Sequence, residues 1–187
     1  MRAARLGLLV SFTALAVLGR LAFVWAPNVA LTYFVVALAG LAYGPSFGFT
    51  VGLAAMTLSN LLLTGLDPVA FVNAPAMGLL GLAAGFAGRR VDLARERAAS
   101  RVLVAGAAAF AGVAATLAFS VLADSTTYLV FYAPAGAPPG AWGALVALGL
   151  AFNALPAAVN GVLFGAGLPA AAEALARSGH ADFTRGA

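Results

Sequence analysis

The sequence has no cysteine and no lysine, a single histidine, and only 9% charged residues. Without cysteine there can be no disulfide, no thiolate nucleophile, and no iron–sulfur or Cys-type zinc ligation. Without lysine there can be no P-loop, because that motif needs a lysine to reach the terminal phosphates of a nucleotide; any coupling to ATP must therefore come from a partner. His180 lies in the polar C-terminal segment, which excludes an HExxH zinc site and a histidine-based catalytic pair within the apolar body. No metal and no cofactor is expected, and the chain is not read as an enzyme. The shortage of charge is matched by an excess of apolar residues, 63% of the chain, where soluble domains carry about 45–50% apolar and about 25% charged. With a mean hydropathy of +1.01, the chain reads as an integral membrane protein. Apolar segments recur almost to the end, unlike a signal peptide ahead of a polar domain, so the first segment is expected to be a retained helix.

All ten basic residues are arginines, and the pI is near 10.4. They cluster in the gaps between apolar stretches, which points to a lipid bilayer as the partner and away from nucleic acid. A helix needs about 20 apolar residues to cross the hydrocarbon core. Dividing the charge-free stretches at Gly, Pro and polar marks gives an all-α membrane domain of six transmembrane helices, at about 6–26, 30–44, 46–64, 68–88, 102–123 and 142–172. Pro27-Asn28 ends the first and Gly44-Pro45-Ser46 separates the second from the third. Asp67-Pro68 opens the fourth, since proline suits a first turn and an acid suits the positive helix end. The segment RRVDLARERAASR forms a charged loop at 89–101. A Pro- and Gly-rich outer loop is expected at 124–141, long enough to act as a lid, and a polar tail at 173–187. The sixth helix exceeds what a bilayer requires and is expected to be tilted, or kinked at Pro156.

The arginines fix an orientation. Arg2 and Arg5 precede helix one, five lie between Arg89 and Arg101, and Arg177 and Arg185 are in the tail. All fall on one side of a six-helix arrangement, which places both termini in the cytoplasm and the chain in the inner or plasma membrane.

Polar groups inside a membrane are costly and are functional candidates by default. Here they are Arg20, Asn60, Asn73, Asn153 and Asn160. Arg20, Asn60 and Asn73 lie within a few turns of the outer surface and Asn153 somewhat deeper, so these four are placed to line one outward cavity. Each asparagine also has a simpler reading as an interhelical hydrogen bond, and Arg20 as a side chain extended to the outer headgroups. Trp25, Phe71, Tyr128, Tyr132 and Trp142 collect at the outer ends of the spans, as an aromatic belt or, for Tyr128, Tyr132 and Trp142, as stacking surface for a ligand. Two stripes of small residues suit close helix packing. Gly78, Gly81, Gly85 and Gly88 share a face of helix four, with Gly48 and Gly52 on helix three; Ala3, Gly7, Ser11 and Ala14 share a face of helix one.

The stretch from Ala26 to Arg89 resembles the substrate-binding S components of energy-coupling factor (ECF) vitamin transporters. The shared order is a Pro-Asn after helix one, Gly44-Pro45-x-x-Gly48, Ser59-Asn60 near the end of helix three, and a Pro-containing fourth helix ending in Gly81-Leu82-x-x-Gly85. The resemblance implies a six-helix protein that captures a vitamin at the outer face, with a transmembrane coupling subunit and two ATPase subunits as partners. It implies that Gly7, Ser11 and Ala14, the nearest equivalents of a family AxxxA face, meet the coupling subunit. Asn60 and Asn73 match family pocket positions; Arg20, Tyr128, Trp142 and Asn153 join them as substrate-binding candidates from depth and chemistry. The GRLAF segment from Gly19 and the SNLLLTGLDP stretch from Ser59 most resemble cobalamin-type members, with riboflavin-type members close behind. The rival readings are a self-contained carrier or channel, which should show an inverted repeat or paired broken helices with midplane charges, and a structural subunit without a ligand.

Overall fold

The computed structural model describes residues 2–23, 31–65, 67–89 and 98–177. Trp25, Pro27-Asn28, most of the charged loop, and the tail with His180 and Arg185 lie outside the described residues. Among the described residues every regular element is helical: α1 (Arg2–Ala22), α2 (Leu31–Tyr43), α3 (Pro45–Leu63), α4 (Pro68–Gly88), α5 (Ala98–Thr127), α6 (Pro139–Phe152), α7 (Ala154–Val162) and α8 (Leu168–Arg177). Wider π-type turns continue α5 over Tyr128–Tyr132 and join α7 to α8 over Leu163–Gly167. Five helical stretches are long and apolar enough to cross a membrane; α2 is a shorter apolar helix.

Local chemistry explains the first boundaries. Gly44 adopts φ 95, a left-handed conformation open to glycine, and Pro45 follows in the first turn of α3, where its missing N–H leaves no bond unmade. Asp67 caps α4, its carboxylate accepting from the Ala70 amide at 2.7 Å, which places an acid at the positive helix end.

Helices α2, α3 and α4 form the core through glycine faces. A Cβ built on Gly81 would strike the backbone of Gly48, one on Gly52 the backbone of Met77, and one on Gly85 the backbone of Pro45. These backbones touch directly, which gains the dispersion contact that holds membrane helices together where lipid removes the hydrophobic drive. α1 lies antiparallel to α2 and parallel to α3: the Thr32 hydroxyl donates to the Ala16 carbonyl at 2.8 Å, and Phe12 packs edge-on against Tyr43 and Phe47.

The second half is a long antiparallel hairpin, with α5 against α6, α7 and α8 in turn. Three expectations are corrected in it. The outer loop at 124–141 is helical as far as Tyr132, leaving only 133–138 as the connection. The cause lies in the sequence: proline and glycine begin only at Pro134, and Thr126 and Thr127 bond back to the carbonyls of Leu122 and Ala123, which keeps their hydroxyls satisfied within a helix. A lid-length loop is therefore absent among the described residues. The break in the last helix falls at Asn153, between α6 and α7. Pro156 sits in the first turn of α7, where an amide would have no helical partner. The same helical path begins at Pro139 and ends at Arg177, beyond both expected bounds of 142 and 172. At 32 residues the Arg101–Tyr132 stretch is about 48 Å long against a hydrocarbon core of about 30 Å, so it tilts or stands clear of the bilayer.

The glycine interlock has a direct test. Gly81→Leu should lower thermal stability in detergent by at least about 1–3 kcal/mol, the usual cost of overpacking. Gly106→Leu, where a Cβ meets nothing within 4 Å, should leave the unfolding temperature and the gel-filtration profile unchanged.

Candidate functional site

The end of the bundle where α1 and α3 finish and α4 begins carries the buried polar chemistry. Arg20, in the last turn of α1, turns inward onto α3. Its Nη1 donates to Ser59 Oγ at 2.7 Å, Asn60 Oδ1 at 2.8 Å and Met56 Sδ at 3.0 Å. The guanidinium therefore does not extend to the outer headgroups. Among the described residues no carboxylate pairs with it; neutral dipoles hold the charge, helped by the negative end of α1. Because Asn60 uses its Oδ1 on the arginine, its Nδ2 points elsewhere, and that buried atom has no hydrogen-bond partner among the described residues.

Beside this cluster lies a cavity of about 310 Å³ between α2, α4 and α5, lined by Tyr33, Met77, Leu80, Phe119 and Leu122 among others. That volume is at the lower end for small-molecule sites. Tyr33 and Phe119 meet edge to face with centroids 5.6 Å apart, and Tyr33 is within electrostatic reach of Arg20. Asn73 stands one helical turn before Met77, on the same face of α4. Its buried Oδ1 also has no hydrogen-bond partner among the described residues. The cavity itself has aromatic and aliphatic walls; the unpaired amide donor of Asn60 and acceptor of Asn73 lie outside its lining. Among the described residues no group of acidic or histidine side chains could hold a metal.

The remaining candidates belong to a separate seam inside the hairpin. Asn153 Nδ2 donates to Ser120 Oγ at 2.9 Å and to the Gly149 carbonyl at 2.8 Å, and Ser120 donates to Asp124 Oδ2 at 3.3 Å. One step further along, Asn160 Nδ2 donates to Thr116 Oγ1 at 2.9 Å, and Thr116 to the Gly112 carbonyl at 2.8 Å. Toward the tip of the hairpin, Trp142 Nε1 donates to Ser125 Oγ at 3.1 Å, and the Tyr128 hydroxyl donates to the Ala137 and Pro138 carbonyls at 3.3 and 3.2 Å. The structure therefore brings Arg20 and Asn60 into contact and sets Asn73 one turn from the cavity-lining Met77, outside the lining itself. It places Tyr128, Trp142 and Asn153 in a seam whose bonds tie the hairpin and its turn together. The expected common cavity for Arg20, Asn60, Asn73 and Asn153 divides accordingly, because the Asn153 amide is spent between α5 and α6.

Several of these groups escape a sequence reading. Tyr33 and Phe119 are ordinary apolar-span aromatics whose pairing is a tertiary event. Ser59 is legible beside Asn60, and the stripe Thr116, Ser120, Asp124 recurs every four residues on one face of α5, a polar signal that could have identified the seam. Asp124, expected in a loop, belongs to this helical stripe. On α1, Gly7, Ser11 and Ala14 are exposed, and the Ser11 hydroxyl is satisfied by the Gly7 carbonyl at 2.9 Å, so the small-residue face is smooth and apolar.

A family model described as ECF-type riboflavin transporter, S component, matches residues 6–168. No curated protein and no solved structure matches the chain.

The coupling between Arg20 and Asn60 is measurable by a double-mutant cycle. Arg20→Met and Asn60→Leu should each destabilise the detergent-solubilised protein, and the double variant should fall short of additivity by about 0.5–3 kcal/mol. Additive losses in thermal unfolding would mean that the two side chains do not support each other.

Proposed function

Because the chain belongs to the S-component family of ECF-type riboflavin transporters, we propose that it captures riboflavin at the outer face of the cell membrane and delivers it to an ATP-driven coupling module. The observation that supports the substrate reading is the cavity beside Tyr33: its size suits a flat tricyclic ring, and Tyr33 and Phe119 offer aromatic surface; Asn60 and Asn73, outside its lining, hold the unpaired amide donor and acceptor that a ligand's polar edge would have to reach. The hydrogen-bonding edge of a flavin carries both carbonyl acceptors and an N–H donor, which matches that pair. Cobalamin, the first expectation from the GRLAF and SNLLLTGLDP segments, is several times larger than a cavity of about 310 Å³, and riboflavin takes its place.

Six spans complete the topology in this reading, with the short α2 crossing a locally thin region and α6 to α8 forming one broken span. Arg5, Arg89, Arg101 and Arg177 then share the cytoplasmic end, and the cavity opens outward. Arg20 tunes the site from behind through Asn60, while Tyr128, Trp142 and Asn153 keep the hairpin wall in place. The exposed face with Gly7, Ser11 and Ala14 meets the transmembrane coupling subunit, where a smooth helix surface permits the close approach that packing in lipid demands. Two ATPase subunits supply the energy, since this chain has no P-loop lysine.

Calorimetry on the purified protein in mild detergent, with riboflavin and cobalamin as ligands, tests the reading. Submicromolar riboflavin binding is expected, weakened about ten-fold by Asn73→Ala, the loss of a hydrogen bond worth about 1.4 kcal/mol. Trp142→Phe, in the seam, should bind as the parent does. A folded protein that binds neither vitamin would overturn the proposal.

A further inference from the structure

The cavity between α2, α4 and α5 has one lining side chain with a hydroxyl, Tyr33; the rest of the lining is Ala, Leu, Met and Phe. The main-chain amides and carbonyls behind those residues belong to helices and bond within them. A ring entering this space therefore has apolar and aromatic surface around it and one strong hydrogen-bonding atom on a side chain to meet, Tyr33 Oη.

Packing fixes where that side chain lies. The end of α1 meets the start of α2 closely: a Cβ built on Gly19 would stand 2.8 Å from Leu31 Cβ, and the Thr32 hydroxyl donates to the Ala16 carbonyl at 2.8 Å. Tyr33 is about 100° further round α2 than Thr32, and its ring meets the Phe119 ring of α5 edge to face, with centroids 5.6 Å apart and planes at 84°. The residue is only 7% exposed. A buried tyrosine hydroxyl ordinarily finds a protein partner. Among the described residues none bonds to this one, yet its oxygen is not sealed in as Asn60 Nδ2 and Asn73 Oδ1 are.

Arg20 gives the hydroxyl a direction. It follows Ala16 by one turn on the same face of α1, and its charge acts on Tyr33. A cation beside a phenol favours electron density on the oxygen, which strengthens the O–H as a donor, and the same cation repels an approaching N–H dipole. The ligand group that suits Tyr33 Oη is an acceptor.

We propose that Tyr33 sets the specificity of this cavity: its hydroxyl donates to a carbonyl oxygen or an unprotonated ring nitrogen on the edge of a planar heteroaromatic ligand, and so fixes which edge faces α2. This role rests on the vitamin reading for the identity of the ligand and on the cavity wall alone for the hydrogen bond. A ring of the same size without an acceptor fits the walls and forgoes the bond, the deficit by which a site with one polar group discriminates.

Tyr33→Phe keeps the ring and its contact with Phe119 and removes only the oxygen. Calorimetry in mild detergent should show riboflavin binding weakened about ten-fold, or about 1.4 kcal/mol, with the unfolding temperature of the ligand-free protein unchanged. Equilibrium dialysis with quinoline, indole and naphthalene tests the hydroxyl without any vitamin, since of these two-ring probes only quinoline carries an acceptor nitrogen. The ratio of quinoline to naphthalene retained should fall about ten-fold from the parent to Tyr33→Phe, and the ratio of indole to naphthalene should stay the same; comparing the two proteins at equal detergent cancels partition into micelles. A parent protein that binds no riboflavin would sink the vitamin reading, and the quinoline ratio would still decide the role of the hydroxyl. Riboflavin bound equally by parent and Tyr33→Phe, or an unchanged quinoline ratio, would overturn the role of Tyr33 and leave the vitamin reading standing. A lowered unfolding temperature in ligand-free Tyr33→Phe would also overturn it, by showing that the oxygen holds the fold.

Discussion

Lipid gives helices no hydrophobic reason to associate, so the fold depends on how closely backbones can approach. The contact of α3 with α4, where Gly48, Gly52, Gly78, Gly81 and Gly85 bring main chain against main chain, is the interaction on which the rest is arranged. It sets α2 and α1 in place and aligns the ends of α1, α3 and α4. That alignment creates the polar end where Arg20, Ser59 and Asn60 meet. Were these helices held apart by larger side chains, the arginine could not reach its neutral partners.

The second consequence of a lipid environment is that polar side chains must find partners inside the protein. The chain meets this demand in two ways. In the hairpin, Thr116, Ser120, Asn153 and Asn160 bond one another and the main chain, a seam that fixes the register of α5 against α6 and α7, although Asn160 Oδ1 is itself buried without a partner among the described residues. At the polar end of the bundle the demand is met incompletely, since Asn60 Nδ2 and Asn73 Oδ1 are buried without protein partners among the described residues. Unpaired buried groups cost about 1–3 kcal/mol each.

The hairpin touches the bundle less intimately than the bundle touches itself. Alanine faces alanine between α4 and α5, leaving two cavities that meet at Leu80. One end of this cleft holds the Tyr33–Phe119 pair, and the other is walled mostly by alanine with Phe164 and Leu168. A single joint between two rigid halves thus presents different chemistry at its two ends.

The sequence by itself determined the solvent, the helical class and the starts of α3 and α4; the first helix, expected at about 6–26, runs Arg2–Ala22. Those features rest on hydropathy, on Gly44-Pro45 and Asp67-Pro68, and on arginine placement, all of which act locally. It also marked Arg20 and Asn60 as costly inside a membrane. The tertiary structure decided which polar residues meet, because that follows from helix rotation and register: Asn153 faces Ser120 and not Arg20, and Tyr33 finds Phe119 from the other half of the chain. It decided too that 124–132 continues α5 and that the last helix breaks at Asn153 and not at Pro156. In both places, satisfaction of hydroxyl and amide groups against neighbouring carbonyls outweighed the composition that suggested a loop or a proline kink.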